Sequence, residues 1–281
     1  MQLENQIFRI EDELYTLLNR RGNGKFGSVW TSITSDGYQA AVKVLDLRSY
    51  RNNLNPSKIL TSFKNEVKMM NIMRDAHDYV VTLYGSAIDL QRGLAFISME
   101  LGNDSLRDRV ANLHQMHRKS ARVGYDYISI RDRINVWIQL VDIILALYQY
   151  DIIHRDIKPN NLIFFGPRLK VIDLGIAQTR STGHFRRQIR NRSAFSAPEC
   201  STGEAPITPK ADIWSIGAIL YYLTYGRSPL QLSSRAPVGI RPTRSTRVQD
   251  ILDRCLQRNL YQRPTHHWLS VHPLTKGTPA F

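Results

Sequence analysis

Cysteine and long apolar runs are both scarce in this sequence. Its 281 residues include two cysteines, Cys200 and Cys255, whose wide separation argues against a disulfide framework or a paired-cysteine metal site. No apolar run approaches the roughly 18 residues that suggest a membrane helix. The first residues, MQLENQIFRIEDELY, carry acids where a secretory signal would be basic and then apolar. We therefore expect an intracellular protein, cytoplasmic or nuclear or both, with buried, unreactive thiols and no membrane partner.

Acidic residues are also in short supply, with 24 Asp and Glu against 38 Lys and Arg, which gives a net charge of +14. A charge of that size favours anionic partners such as phosphates, acidic proteins or nucleic acid. No zinc-finger, RNA-binding or helix-turn-helix pattern accompanies it. We therefore expect a basic surface with an anion-binding site, and we do not expect direct nucleic-acid binding. The 42% of hydrophobic residues excludes a disordered chain.

The pattern of apolar residues changes along the chain near Gly102. Strand-like segments with Gly or Asp-Gly breaks run from Tyr15 to Leu47, and residues 80–88 and 94–101 are two more strand candidates, which predicts an antiparallel sheet. Beyond Gly102, longer helical runs predominate, at 131–150, 211–226 and 248–260. Before the change, residues 63–73 predict one helix, with apolar positions at Phe63, Val67, Met70 and Met73. The predicted apolar positions of 131–150 are Ile134, Ile138, Val141, Leu145 and Tyr148.

The stretch GNGKFGSV places Gly22, Gly24 and Gly27 between two strand candidates. A lone G-x-G-x-x-G often marks only a turn. A dinucleotide-binding fingerprint would lead from a strand into a helix, whereas this one joins strand to strand. Because glycines let the backbone approach phosphate oxygens closely, and Phe26 at the tip can shield them from water, we predict a phosphate-binding loop.

Lys43 lies in the apolar strand candidate AAVKV, where a charge needs a partner or a ligand. One alternative is a strand-edge lysine that faces water. The other is an ion pair with Glu66, whose carboxylate can face the sheet because it lies between Phe63, Val67 and Met70. Such a pair would hold the ammonium beside the phosphates.

The octapeptide HRDIKPNN, residues 154–161, concentrates polar groups between apolar runs. Transfer of a phosphoryl group to a hydroxyl needs a carboxylate at the nucleophile, a cation near the developing charge and oxygen ligands for magnesium. Asp156, Lys158 and Asn161 provide these groups in that order. Asp173, in LKVIDLGIAQ, supplies a second carboxylate for the metal. A solvated loop would explain HRD alone, but the whole ordered set favours phosphoryl transfer.

Together these motifs resemble the eukaryotic protein kinases. GNGKFGSV, AVK, Glu66, HRDIKPNN, DLG, APE and DIWSIG follow the order and spacing of that family, from the glycine-rich loop to near the C-terminus. The resemblance implies an α+β, bilobal protein-kinase fold, with a small N-lobe of five antiparallel strands and one main helix, and a larger, mainly helical C-lobe. It implies a short extension at 1–14, a kinase domain at 15–273, divided into 15–101 and 102–273, and a tail at 274–281.

The resemblance also implies roles for individual residues, with ATP and Mg²⁺ as cofactors and protein substrates as partners. Asp156 would accept the proton of the substrate hydroxyl with Lys158 beside it, while Asn161 and Asp173 would hold magnesium. Lys43, paired with Glu66, would contact the phosphates of the nucleotide. The remaining nucleotide-binding candidates are Arg21, Gly22, Asn23, Gly24, Lys25, Phe26, Gly27, Ser28 and Val29, with Met99 as gatekeeper and Glu100, Leu101, Gly102 and Asn103 as the adenine-binding hinge.

Further features refine the resemblance. Glu199 of APE would pair with Arg263, and Asp212 would brace the loop that carries Asp156. Lys158 in DIKPNN is typical of Ser/Thr kinases rather than tyrosine kinases, which favours Ser and Thr hydroxyls as acceptors. The stretches FKNEV, MELGNDSL and VIDLGIA are most similar to the monopolar-spindle checkpoint kinases, which are dual-specificity, so we expect a divergent or stand-alone relative of these enzymes.

Three features depart from the family pattern. Arg21 stands where the family usually places an aliphatic residue over the adenine, which puts nucleotide affinity in question. Leu174 replaces the usual Phe and keeps an apolar side chain. Asn191 and Arg192 replace Gly-Thr before APE, and Phe195 replaces a common Tyr, so the substrate-docking segment differs from that of its relatives.

The segment before APE is rich in arginine and hydroxyl residues. Arg155, beside the predicted catalytic Asp, usually implies that a phosphate on this segment offsets its charge. We predict that phosphorylation of Thr179, Ser181, Thr182 or Ser193 orders the segment, and the alternative is a solvated basic loop. Ser193 could also substitute for the missing Thr.

Three function hypotheses remain open at this point. An active Ser/Thr protein kinase is favoured because every charged group that the reaction needs is present. A catalytically weak or silent pseudokinase that acts as a scaffold would explain the altered segment before APE, although such proteins commonly lose the catalytic Lys, Asp or Asn first. A kinase-like enzyme for a small molecule is disfavoured by APE and DIWSIG.

Overall fold

The protein is described here by a computed structural model, which covers residues 3–23, 27–48, 56–120, 127–180, 193–202, 205–229 and 234–277. The chain divides into two compact units. The first consists of Met1–Asn103 and Asp173–Ile176, and the second of Asp104–Ile172 and Ala177–Phe281. The first is built on an antiparallel sheet and the second is mainly helical, which is the α+β composition that the sequence predicts.

Among its described residues, the first unit is an antiparallel sheet with one α-helix. Its strands pair in the order β1-β2-β3-β4-β6-β5. Leu17, Val42 and Phe96 belong to its buried core, and all six residues of the inner strand β6 are buried. The elements are β1 (Ile7–Ile10), β2 (Glu13–Asn23), β3 (Gly27–Thr34), β4 (Gln39–Asp46), α1 (Pro56–Ile72), β5 (Leu83–Asp89) and β6 (Leu94–Met99).

The sheet has six strands rather than the predicted five, because β1 lies in the segment that the resemblance implied to be an extension. Phe8 and Ile10 face the core, and the Phe8 ring centroid is 4.7 Å from that of Phe96. Glu11 accepts a hydrogen bond from the backbone N–H of Ser86 at 3.0 Å. The family motifs begin near Tyr15, so they contain no information on this strand.

A substitution in β1 tests whether this strand belongs to the core. We expect Phe8→Ala to lower the free energy of unfolding by about 3 kcal/mol, because it removes a buried ring and leaves a cavity. Ile7→Ala is the matched control, since Ile7 points outward and is 58% exposed. It should change stability by less than about 0.5 kcal/mol. Equal urea midpoints for the two variants would show that β1 is not packed.

Phe63 and Met70 of α1 are buried as predicted, and so is Met73, which directly follows the helix. Val67 is only partly buried, and Met69 is buried. Glu66 lies on the buried side of the helix, with 3% of its surface exposed.

The second unit contains six α-helices among its described residues and two small two-stranded sheets. The side chains of Ser129, Ser245 and Thr265 cap three helix N-termini by accepting backbone N–H bonds. The helices are α2 (Leu106–Ser120), α3 (Ile130–Gln149), α4 (Pro198–Thr202), α5 (Lys210–Tyr225), α6 (Thr246–Cys255) and α7 (His266–Val271), and the sheets pair β7 (Ile152–Ile153) with β10 (Gln178–Thr179) and β8 (Leu162–Phe165) with β9 (Arg168–Val171).

Helix α5 is nearly all apolar and nearly all buried, as predicted. The predicted apolar stripe of α3 is wrong as a guide to its buried face. Of that stripe only Val141 is fully buried, and Tyr148 is exposed. Because α3 packs against α5, α7, β7 and β9, several of its faces are covered, and spacing alone does not identify one of them. The fully buried apolar residues of α3 are Val136, Trp137, Leu140, Val141, Ile143, Ile144, Ala146 and Leu147.

Both cysteines are buried free thiols, as predicted. Burial raises the pKa of Cys200 to about 12 and also raises the pKa of Cys255. Neither thiol therefore forms the reactive thiolate at neutral pH. Within the part of the chain that the structure describes, no helix combines the length and apolar character needed to cross a membrane.

The buried imidazole of His266 predicts a stability that depends on pH. Its ring stacks on Tyr148, and burial, with the charges of Lys210 and Arg180, lowers the pKa of His266 to about 4. Between about pH 6.5 and 4 the unfolded chain therefore binds a proton that the folded chain does not, and stability falls as the pH drops. We expect His266→Phe, which keeps a ring, to lose roughly 2 kcal/mol less than the native chain across this window. Urea denaturation of both proteins at about pH 6.5 and about pH 4 measures the difference. An identical loss of stability in the two proteins would contradict this prediction.

Candidate functional site

Lys43 is the centre of an ion-pair cluster in the first unit. It lies in β4, between β3 and β6. Its Nζ is 2.8 Å from each carboxylate oxygen of Glu66 and 2.9 Å from Oδ1 of Asp173. The side chain of Glu66 is 4% exposed, whereas that of Asp173 is 42% exposed. The pairing that the sequence predicts for Lys43 and Glu66 is therefore present, and Asp173 joins it.

The electrostatics of this cluster keep Lys43 charged. Burial alone would lower the pKa of Lys43, but the carboxylates of Glu66 and Asp173 outweigh that effect, and the net pKa is raised. Burial raises the pKa of Glu66, and the Lys43 ammonium opposes that rise. Lys43 therefore carries a positive charge at neutral pH, and the carboxylates of Glu66 and Asp173 fix its position.

The segment after Asp173 is bonded to α1. Asn65 donates from Nδ2 to the carbonyl oxygens of Leu174 and Gly175, at 3.3 and 3.2 Å, and Ser62 donates to that of Gly175 at 3.3 Å. Leu174, which replaces the usual Phe, is fully buried, so an apolar side chain still fills this position. The sequence motifs did not indicate this role of Asn65.

The strand that follows the glycine-rich loop begins in close contact with β4. Gly22 and Asn23 end β2, and Gly27, Ser28 and Val29 begin β3. A Cβ at position 27 would lie 1.8 Å from the carbonyl oxygen of Val44, so only glycine fits there. The predicted phosphate-binding residues Gly24, Lys25 and Phe26 lie outside the described residues.

The predicted hinge follows β6. Met99 is buried at the end of that strand. The backbone N–H of Glu100 donates to the carbonyl of Thr82 at 3.0 Å, and the Glu100 carboxylate accepts from the Thr82 hydroxyl at 3.3 Å. These bonds tie Glu100, at the beginning of the hinge, to the residue that precedes β5.

Arg21 makes a polar bridge where the family usually has an aliphatic side chain. Its Nη2 donates to the carbonyl oxygens of Asn103 and Gly102, at 2.9 and 3.3 Å. The departure therefore connects the end of β2 to the predicted hinge, a contact that the sequence reading did not foresee.

The predicted catalytic residues of the second unit converge on one carboxylate. Asp156 is 8% exposed, and its Oδ2 accepts from Lys158 Nζ at 2.7 Å and from Asn161 Nδ2 at 3.0 Å. Asn161 also donates to the backbone carbonyl of Asp156 at 3.0 Å. Two donors from the same short loop thus fix the orientation of the Asp156 carboxylate.

Asp212 of α5 braces this loop, as the sequence predicts. Its carboxylate accepts the backbone N–H groups of His154 at 2.8 Å and Arg155 at 2.9 Å. Burial raises the pKa of Asp212, while His154 and the two backbone donors oppose that rise. Arg155 has a left-handed backbone, with φ at +68°, and Asp173 in the first unit has φ at +64°. Such residues are uncommon and cluster at functional sites.

His154 links the braced loop to the strand that precedes the DLG motif. Its Nδ1 accepts the backbone N–H of Asp156 at 3.2 Å, which leaves Nε2 to donate to the carbonyl of Ile172 at 3.0 Å. The imidazole is completely buried. His154 therefore supports the backbone at Asp156 from inside.

A buried ion pair anchors the APE motif. Arg263 donates from Nη1 and Nη2 to the two carboxylate oxygens of Glu199, at 2.6 and 2.8 Å. Both side chains are almost fully buried. The pairing predicted for these two residues is present.

The segment before APE is described only in part. Phe195 packs edge-on against Tyr222, with ring centroids 6.0 Å apart, and Ser193 Oγ accepts the backbone N–H of Phe195 at 3.3 Å. Thr179 pairs with Ile152 between β10 and β7. The other residues named for this segment, Ser181, Thr182, Asn191 and Arg192, lie outside the described residues.

The donor chemistry of the predicted metal ligands fits magnesium. Mg²⁺ prefers oxygen ligands and is usually held by one or two carboxylates together with substrate phosphates rather than by a protein cage. Asp173 offers a half-exposed carboxylate. Asn161 uses its Nδ2 toward Asp156, which leaves the amide oxygen for a cation. Among the described residues, no group of three or more His, Cys, Asp or Glu could hold a metal ion by itself.

Comparison with known proteins gives one consistent result. The family model described as "Protein kinase domain" matches residues 15–275. Similar proteins include mouse "Dual specificity protein kinase TTK", 26% identical over 98% of this chain and 33% of that protein. Rat "SNF-related serine/threonine-protein kinase" is 27% identical over 94% of this chain and 34% of that protein. "Serine/threonine-protein kinase mph1" of Schizosaccharomyces pombe is 24% identical over 79% of this chain and 37% of that protein.

These relatives confirm the resemblance that the motifs predicted, including the similarity to dual-specificity kinases. The chain spans about a third of the length of the relatives it matches.

Proposed function

The chain belongs to the protein kinase family, and from that premise we propose that it transfers the γ-phosphoryl group of ATP to Ser and Thr hydroxyls of protein substrates. One observation carries the proposal. Asp156, Lys158 and Asn161 form a closed set of hydrogen bonds in the braced loop, with donor distances of 2.7 to 3.0 Å. A scaffold that needs no chemistry has no reason to keep this set complete.

Asp156 is the proposed proton acceptor. Its carboxylate is held by Lys158 and Asn161 and keeps a small exposed fraction, so it can orient a substrate hydroxyl and take its proton. Lys158, whose Nζ is 2.7 Å from Asp156 Oδ2, would place a positive charge near the phosphoryl group as it is transferred. Because the loop is braced by Asp212, this arrangement exists before the substrate binds, which is what positioning catalysis requires.

In the first unit, Lys43 is the proposed phosphate ligand and the hinge from Glu100 to Asn103 the proposed adenine ligand. Mg²⁺, when bound with ATP, neutralises the charge of the phosphates. Asn161 and Asp173 would hold it with oxygen atoms. Lys43 can exchange its bond to the exposed Asp173 for one to a phosphate while it keeps both bonds to the buried Glu66.

The acceptor specificity and location are further parts of the proposal. Lys158 and the names of the relatives support Ser and Thr hydroxyls, with tyrosine as a second acceptor if the chain shares the dual specificity named for TTK. We also propose an intracellular location with protein substrates as partners.

Transfer of labelled phosphate tests the proposal. The native chain is incubated with γ-labelled ATP, Mg²⁺ and a generic basic protein, and the labelled residues of chain and substrate are identified. The expected products are phosphoserine and phosphothreonine. Phosphotyrosine alone would contradict the proposed acceptor. Binding of ATP without transfer to any residue would favour the pseudokinase scaffold.

A further inference from the structure

Helix α1 presents three consecutive contacts to the Lys43 cluster and the DLG segment. Ser62, Asn65 and Glu66 stand at positions i, i+3 and i+4 of α1, so they share one face of the helix. Glu66 binds Lys43, while Asn65 and Ser62 bond the carbonyl oxygens that follow Asp173. We call Ser62 and Asn65 the α1 clamp.

The clamp acts on a backbone that needs support. Asp173 is a non-glycine residue with φ at +64°, a strained conformation that persists only where surrounding contacts hold it. The backbone at Gly175 lies close to α1, because a Cβ at this position would be 2.6 Å from Ser62 Oγ. The compact unit built on the sheet accordingly includes Asp173–Ile176.

Asn65 makes the larger contribution to the clamp. Its amide nitrogen has two hydrogens and meets two carbonyl oxygens, at 3.3 and 3.2 Å, whereas Ser62 offers a single hydroxyl at 3.3 Å. We propose that Asn65, assisted by Ser62, is a positioning residue that fixes Asp173 relative to Lys43 and so sets the affinity of the chain for Mg²⁺ with nucleotide. This inference rests on the proposed function, because it takes Asp173 as a metal ligand.

The variant Asn65→Asp isolates the donor. It keeps the size of the side chain but cannot donate, and its carboxylate would face two carbonyl oxygens. The readout is the ratio of the Kd values of a non-hydrolysable ATP analogue in EDTA and in Mg²⁺. We expect Asn65→Asp to reduce this magnesium-dependent gain about tenfold, which corresponds to two lost hydrogen bonds, while the Kd in EDTA stays unchanged. Asn65→Ala should reduce the magnesium-dependent gain by a similar factor. Ser62→Ala, which removes one hydrogen bond, should reduce it about threefold.

Lys64→Gln is the matched control, because it lies next to Asn65 on the exposed side of α1 and changes the net charge by the same amount. Its magnesium-dependent gain should equal that of the native chain. An undiminished gain in Asn65→Asp, or an equal loss in Lys64→Gln, would overturn the positioning role. A native chain whose affinity for the analogue does not respond to Mg²⁺ would also overturn it.

Hydrogen exchange keeps the inference separate from the proposed function. If the native chain binds no nucleotide, the proposed function fails, but the clamp can still be judged in the free protein. Asn65→Asp should then speed deuterium uptake by the peptide around Asp173 to Ile176 about tenfold, with little change in Lys64→Gln. Unchanged uptake in Asn65→Asp would overturn the clamp itself.

Discussion

Arg263→Met is expected to lower the free energy of unfolding by about 3 to 5 kcal/mol, the range measured when one partner of a buried ion pair is removed. The carboxylate of Glu199 would remain in the interior without its two guanidinium donors. The substitution also removes donors from the backbone carbonyls of Gln257 and Lys210, each bonded to the guanidinium at 2.9 Å. Unmet polar groups of this kind add their own desolvation cost.

An exposed ion pair between an arginine and a carboxylate is the control. Arg254 binds Asp250 at 2.9 Å, but the two side chains are 55% and 41% exposed. Arg254→Met should therefore cost less than about 1 kcal/mol. Urea denaturation of both variants gives the comparison, and similar losses for the two would show that burial does not decide the strength of the Glu199–Arg263 pair.

Lys43→Met is expected to have two large effects. It leaves the buried carboxylate of Glu66 without a cation, so unfolding should become easier by about 3 kcal/mol. It also removes the proposed phosphate ligand, and we expect phosphoryl transfer to fall at least about a hundredfold. Chemical denaturation and the transfer assay measure the two effects on the same preparation.

A second substitution separates these effects. Adding Glu66→Gln to Lys43→Met removes the orphaned buried charge, so most of the lost stability should return while transfer stays absent. If the double variant is no more stable than Lys43→Met alone, the ion pair is not the cause of the loss. If transfer returns with stability, Lys43 acts only through the fold.

Local patterns predicted most strands of the first unit. They also predicted that the polar residues at 154–161 form a functional loop. Strand-like segments separated by Gly or Asp-Gly breaks located β2, β3, β4, β5 and β6, and the position of Glu66 among apolar residues of α1 predicted its pairing with Lys43. These inferences succeeded because each depends on neighbours in sequence or on a motif whose chemistry requires a given residue.

Features that depend on distant packing were missed. Strand β1 precedes the family motifs, and only its contact with Phe96 reveals that Phe8 belongs to the core. The buried face of α3 is set by the several elements packed around it, and spacing does not report them. Asn65 and Arg21 act through carbonyl oxygens far along the chain, which any residue could supply, so no residue type at the acceptor end marks these contacts.

The most direct test of the central claim compares the native chain with Asp156→Asn at saturating ATP and Mg²⁺. The substitution keeps the size of the side chain and removes its charge, so nucleotide binding should be unchanged. A single-turnover rate of phosphoryl transfer about a thousandfold slower in the variant is the result that our account predicts, within the range for loss of a general base. Equal rates in the two proteins, or no transfer by a native chain that is loaded with ATP, would contradict it.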